Sequence, residues 1–378
     1  MTPLPDTIHP LLENMKRLEA SDLHLKTSVP PVYRIGGHLR RTDMPVIEIG
    51  SRWIEKVLEP MIPERRRADY ERRGALDFAI SLPDGDRFRV NVARSCDQLH
   101  AAIRRVKSKI PSFEALHLPP IYRKIADEMH EGLVIICGVT GCGKSTTLAA
   151  MIDHINEEKS DNIISIEDPI EYVFKPKKGI ISQREIGLDV EVFSDALRSA
   201  VRQDPDVLFI GEMRDRETML AALQAAETGH LVFCTLHTAD TMQSLARILE
   251  FFPPDQHTFI RSSLANGLKA IMAQRLLPAI KPEILRVPAT EVLLADPIVR
   301  ERIREGTDED LPEIIAGAKG TGMHSFTASL AELVDKDLVY FDTAMEFAPN
   351  REALEGHVRG IKTTAQALVH RVKHRTNM

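Results

Sequence analysis

In the second part of the chain, continuous apolar runs recur between stretches of helical spacing: Leu133-Val134-Ile135-Ile136-Cys137, NIISIE from Asn162, DVLFIGE from Asp206 and HLVFCTLH from His230. Strands separated in this way pair in parallel, because a crossover between parallel strands has room for a helix. Helices then cover both faces of the sheet, and this is why the runs are apolar throughout instead of alternating. From Asp22 to Val106 the pattern is different. Short β-like runs (LHLKTS, VYRIGGHLR, LDFAISL, RFRVNVAR and LHAAIRRV) alternate with turns around a helix-like stretch from Ser51 to Arg73. Gly36-Gly37 and Pro83-Asp84-Gly85 signal hairpin returns, and ERRRADYERR reads as a solvated helix face. The pattern predicts a small α+β domain over residues 1–110, a linker at 111–120 (PSFEALHLPP) and a parallel-sheet α/β core over 121–288. Beyond Pro288 the spacing turns helical at Ile298 to Ile303, Leu311 to Ala318 and Ser325 to Leu333. That predicts a helical region over 289–361 and a basic, frayed tail over 362–378.

A length of 378 residues suits two cores. The 49 basic and 55 acidic residues give no overall field that would draw in nucleic acid or an anionic membrane, so polyanion binding has to be local. Cys96, Cys137, Cys142 and Cys234 form no C-x-x-C pair, and they read as reduced thiols, not as a zinc ribbon or a disulfide framework. MTPLPDTIHP lacks the regions of a signal peptide, and no apolar run is long enough to span a bilayer, which points to the cytoplasm.

The chemistry starts at Gly138-Val139-Thr140-Gly141-Cys142-Gly143-Lys144-Ser145-Thr146, a complete phosphate-binding loop between an apolar strand and the helix-forming stretch Thr147 to Ile155. Glycines let successive backbone N–H groups turn inward around a polyphosphate, and the helix N-terminus adds partial positive charge. Lys144 is placed to reach the β- and γ-phosphates of ATP, and Ser145 to offer its hydroxyl to Mg²⁺, a cation that takes oxygen ligands. Nucleotide hydrolysis is the expected activity.

Hydrolysis also needs carboxylates, one for the metal and one to orient the attacking water, and in parallel sheets these sit at strand ends. Two apolar runs end that way: IISIEDPIE, with Glu167 and Asp168, and LFIGEMRD, where Glu212 follows a glycine in a Walker B pattern. Acid-ended strands also arise as helix caps, but behind a complete glycine loop the catalytic reading dominates. His230 and His237 bracket the last apolar run, one at each end, so they cannot form a compact metal pair. A histidine near the nucleotide could bond phosphate or sense the γ-phosphate, and capping or packing is the competing role, more so for His230.

Taken together, ASDLHL at Ala20, the glycine loop, IEDPIEYVF, SQREIG at Ser182, RSAVRQDPDVLFIGEMRD and TGHLVFCTLHTAD resemble the type IV pilus retraction ATPases, the PilT/PilU family of the secretion-ATPase superfamily, over nearly the whole chain. The resemblance implies a PAS-like N-terminal domain, a RecA-like P-loop ATPase domain and a ring-shaped homohexamer. It also implies ATP-driven depolymerisation of pilus fibres at the inner membrane, with a platform protein and a paralogous retraction ATPase as partners. Carried over by position, it makes Glu167 a general base, Glu212 the magnesium-associated carboxylate, and His230 with His237 the histidine box; the two glutamates stay interchangeable at this point. It also assigns Arg89 in RFRVN and Arg104 in AAIRRV to the γ-phosphate across an interface, a role suited to a permanently charged fork. The competing reading is that both are surface arginines of an edge strand. The chain departs from the family at SCDQLHA, where relatives carry a glycine-containing turn, and at PIVRERIREG, where they carry AIRNLIRE. It also lacks a lysine in ADTMQSLARILEFF. Pilus extension and type II secretion ATPases share this core but add a longer N-terminal region and a four-cysteine zinc element, so retraction is the preferred expectation. A nucleic-acid translocase is disfavoured by the mild acidity, and a ring subunit without catalysis by the retained lysine, serine and glutamates.

Overall fold

The computed structural model describes residues 8–41, 51–82, 86–96, 98–106, 109–318 and 320–358. Among them no helix is long and apolar enough to cross a membrane. The chain divides between Lys109 and Ile110 into two compact units, with Glu171–Val173 grouping with the first. The expected turn at Pro83 to Gly85 and the tail at 362–378 lie outside the described residues.

The first unit is built on six antiparallel strands: β1 (Asp22–Lys26), β2 (Val29–Ile35), β3 (His38–Arg41), β4 (Ala75–Ser81), β5 (Arg87–Ser95) and β6 (Gln98–Val106), in the order β3-β2-β1-β6-β5-β4. Alternation puts Leu23 and Leu25, Phe88, Val90 and Val92, and Leu99, Ala101 and Ile103 on one buried face. VYRIGGHLR, read as one run, is two strands, because Gly36 and Gly37 both take positive φ and close a tight hairpin. Helix His9–Arg17, absent from the pattern reading, packs on β1, and Tyr33 Oη donates to the carbonyl of Leu11 at 3.2 Å. The stretch from Ser51 to Arg73 is not one helix. Pro60 and Pro63 interrupt it, leaving helices Ser51–Leu58 and Arg67–Arg73 joined by short 3₁₀ turns.

The second unit holds seven strands: β7 (Gly132–Cys137), β8 (Asn162–Glu167), β9 (Ile180–Glu185), β10 (Val207–Ile210), β11 (Leu231–Leu236), β12 (Leu268–Pro278) and β13 (Arg286–Leu294). Their order is β13-β12-β7-β11-β10-β8-β9, and every pair is parallel except β12–β13. The four apolar runs read from the sequence are the central strands, covered by helices as expected. The helical spacing expected beyond Pro288 starts later, because β13 continues to Leu294 and the next helix begins at Pro297. Pro288 is tolerated there because β13 is an edge strand. The stretch read as a linker belongs to this unit. Phe113 is buried, meets the His154 ring edge-on with centroids 5.2 Å apart, and lies under the Arg123 guanidinium at 5.1 Å. Helices Pro297–Glu305, Leu311–Gly317, Phe326–Asp335, Phe341–Phe347 and Arg351–Val358 complete the unit.

Candidate active site

Strand register brings the candidate residues to one sheet edge. Ile135, Cys234, Ile210 and Ile166 stand level across β7, β11, β10 and β8. Gly138, His237, Glu212 and Glu167 therefore leave the sheet together at the carboxyl ends of their strands, where ligand sites of parallel sheets form.

The phosphate loop runs from Gly138 into helix Lys144–Glu158, whose first turn carries half-buried Ser145 and Thr146. A Cβ on Gly138 would lie 2.4 Å from Cys142 Sγ and 2.5 Å from the Gln274 carbonyl, so only glycine lets the loop close this tightly. At Gly143, φ is +94° and an added Cβ would meet Gln274 Nε2 at 2.8 Å. Gln274, buried on β12, holds the loop. Its Nε2 donates to the Cys142 carbonyl at 2.6 Å, and its Oε1 accepts from Thr147 Oγ1 at 2.9 Å. Lys144 is buried and donates to the carbonyls of Gly138 at 2.6 Å and Val139 at 3.3 Å, so its charge is held inside the loop. Burial pushes the Cys142 thiol up, and Cys142 packs in the loop as a neutral group.

Glu167 ends β8 and is 4% exposed. Its Oε1 accepts from Ser165 Oγ at 2.6 Å and Gln183 Nε2 at 3.0 Å. Glu212 follows Gly211, where a Cβ would press to 3.2 Å from Glu167 Cα; this is why a glycine precedes the acid in this strand. Thr235 Oγ1 donates to the Gly211 carbonyl at 2.5 Å, and the Met213 amide donates to the Thr235 carbonyl at 3.0 Å. Arg214 donates to Glu212 Oε2 from Nε at 2.7 Å and to Asp168 Oδ2 from Nη1 at 3.0 Å. Hydrogen bonding to Glu212 raises the Arg214 pKa further. His237 joins loop to acid: Nε2 stands 3.4 Å from Glu212 Oε1, and Nδ1 is 3.4 Å from Thr140 Oγ1. Burial and the charge of Lys144 hold the imidazole below its ordinary pKa, with Glu212 opposing the shift.

His230 does not join this group. It precedes β11 at the opposite end from His237, and Nδ1 is within hydrogen-bonding distance of the Ala225 carbonyl, at 3.0 Å, and of Thr228 Oγ1, at 3.3 Å. That is the capping role, and it removes His230 from the chemistry of this sheet edge. Arg89 and Arg104 belong to the first unit and stand opposite each other in the β5–β6 register. The Arg104 side chain is exposed and its Nε donates to Asp22 Oδ1 at 2.7 Å. Burial pushes the Asp22 carboxyl up, but hydrogen bonds from Ser21 and Arg104 outweigh it and hold it below the usual carboxylate range.

Four contributors were not found by sequence reasoning: Ser165, Gln183, Arg214 and Gln274. Two left a signal. Ser165 lies two residues before Glu167 on the same strand face, and Gln274 is a polar residue inside an otherwise apolar strand, where a buried amide needs partners. The oxygen donors present, the Ser145 hydroxyl and the Glu212 carboxylate, suit magnesium. Among the described residues no group of three or more His, Cys, Asp or Glu could hold a metal ion.

Residues 1–319 match the family described as Type II/IV secretion system protein. The chain is 39% identical over 329 residues to the type IV pilus retraction ATPase PilT of Pseudomonas aeruginosa, covering 87% of this chain and 94% of the relative. It is 38% identical over 346 residues to the type IV pilus ATPase PilU of the same organism, covering 91% and 89%. The crystal structure of the pilus retraction motor PilT with bound ADP superposes with a TM-score of 0.85 at 40% identity, covering 92% of this chain and 98% of that one. With a complete phosphate loop and two strand-end glutamates gathered at one sheet edge, this chain belongs to the type II/IV secretion system protein family, as an ATPase of its pilus-retraction group.

Proposed function

We propose that this chain is the ATP-hydrolysing motor of type IV pilus retraction, working as a ring-shaped homohexamer at the cytoplasmic face of the inner membrane. A pilus platform protein is its load and a paralogous retraction ATPase its companion. In this reading the triphosphate of ATP enters the loop Gly138–Thr146, and Lys144 exchanges its carbonyl partners for phosphate oxygens. Ser145 and Glu212 would hold Mg²⁺, which would supply positive charge to offset that of the phosphates. Glu167, buried and fixed by Ser165 and Gln183, orients the attacking water and takes its proton, because a carboxylate held by two donors is placed before substrate arrives. His237 links Thr140 of the loop to Glu212, so it stands where the presence of a γ-phosphate would be felt. Arg89 and Arg104 are proposed to reach the phosphates from the first unit, Arg104 by giving up Asp22. ATP drives motion only through its different affinities for the open and closed states of the ring.

The observation that carries this reading is the complete loop-and-acid edge of the sheet in a chain of the pilus-retraction group. The test is deletion of the gene in the source cell with fluorescence imaging of pili. Long fibres that fail to retract are expected; bald cells would replace retraction with extension.

A further inference from the structure

The side chain of Arg214 bonds both acid-bearing loops of the site. Nε and Nη2 reach Glu212 Oε2 at 2.7 and 2.6 Å, and Nη1 reaches Asp168 Oδ2 at 3.0 Å. The other oxygen of Glu212 faces His237 Nε2 at 3.4 Å. Both oxygens of the carboxylate are thus engaged, one by a rigid planar fork, which fixes direction as well as charge. Glu212 needs such a fixture. It lies beyond the end of β10, outside regular structure, and its side chain is 23% exposed, so an unrestrained glutamate there would exchange rotamers freely. Arg214 itself is half exposed and edges an open cleft of about 460 Å³ with His237, Gln243, Arg247 and Glu250. A surface ion pair of this exposure contributes little to folding. Its geometry is therefore better explained by what it orients.

We infer that Arg214 is a positioning residue for hydrolysis: it holds Glu212 in the rotamer that faces His237 and the phosphate loop, and it uses Asp168 as its own anchor. This rests on the nucleotide-hydrolysis reading of the site and is independent of what the motor moves.

The test uses the full-length protein with Arg214→Ala, Arg214→Lys, Asp168→Asn and the Arg214→Ala/Asp168→Asn double variant. Steady-state ATP hydrolysis, binding of fluorescent ATP in EDTA and thermal unfolding are measured for each. Arg214→Ala is expected to lower kcat about tenfold or more, with KM changed less than about twofold, because Arg214 orients the metal-associated carboxylate and is not itself assigned to bind the nucleotide. Nucleotide affinity in EDTA and the melting temperature stay at wild-type values. Arg214→Lys restores part of the rate, because it keeps the charge without the fork. Asp168→Asn lowers kcat in the same direction, and the double variant is no slower than Arg214→Ala, since Asp168 acts through Arg214. Crystals of Arg214→Ala are expected to show Glu212 turned away from His237. A wild-type kcat in Arg214→Ala, losses that multiply in the double variant, or a raised KM at unchanged kcat would each overturn the assignment. Absence of hydrolysis by the wild-type chain would overturn the reading beneath it as well.

Discussion

In the proposed mechanism, Glu167 shows how a single residue is prepared for chemistry. Its carboxylate is almost fully buried, yet two donors hold one oxygen, so the charge is stabilised and its direction fixed. Replacing it by glutamine keeps the shape and removes the base. Turnover of Glu167→Gln is expected to fall by about 10² to 10⁴, the range of a general base. Binding of fluorescent ATP should be retained, and normal phosphate release would exclude the role. Gln274→Ala probes the loop instead. It leaves the Cys142 carbonyl and the Thr147 hydroxyl without their partner, at a cost of about 1–3 kcal/mol. A lower melting temperature and weaker nucleotide binding are expected together. The placement of Glu167, Glu212 and the nine loop residues at strand ends was legible in the sequence because it follows from local spacing. Gln274 was not, since its partners lie 132 and 127 residues away and only the pairing of β12 with β7 brings them close. The separation of His230 from His237 has a related cause. Both histidines flank the same apolar run, but an extended six-residue strand sets its ends about 20 Å apart, and only His237 emerges beside the loop.

At the scale of elements, continuous apolar runs identified the four central parallel strands, because both faces of each are covered. β9 and β12 escaped. β9, Ile180–Glu185, is a polar edge strand, and β12 mixes Lys269, Gln274 and Arg275 into its apolar run, so neither has the pattern of a strand covered on both sides. The helix Pro297–Glu305, where the chain departs from the family signature, has a clear structural task. Arg300 donates to the carbonyls of Ala295, Ala265, Asn266 and Leu268, closing the C-terminus of helix His257–Gly267. Arg300→Ala should lower the urea midpoint by an amount equivalent to about 2 kcal/mol, since these are hydrogen bonds from a charged donor. A pH dependence arises in the next segment. His324 bonds Thr290 Oγ1 at 2.8 Å and the Gly322 carbonyl at 3.0 Å, and burial pushes its pKa below the ordinary 6.5 against the pull of Glu291 and Glu332. Below that value the unfolded chain binds the proton and the folded chain resists it. The stability His324 contributes is therefore full above about pH 6.5 and declines as pH falls toward the lowered folded value. His324→Gln should flatten the dependence of melting temperature on pH between about 7 and 5; an unchanged slope would remove His324 as its source.

At the scale of the whole molecule, each unit has its own sheet and buried face, and the phosphate loop with the two strand-end glutamates proposed for nucleotide binding belongs to the second. A fragment beginning at Ile110 should therefore melt cooperatively and bind fluorescent ATP. Failure to fold would show that the second unit depends on the first. Within that second unit, β12 does two things with consecutive residues. Gln274 grips the phosphate loop, while Arg275 stacks 4.3 Å over the Phe326 ring and donates to the carbonyl of Phe347 at 2.8 Å. A hydrogen-bonded strand is stiff along its length, and these neighbouring side chains cannot shift independently. The strand works as a tie-bar: in the proposed mechanism a tug on the phosphate loop is passed along it to helices Phe326–Asp335 and Phe341–Phe347.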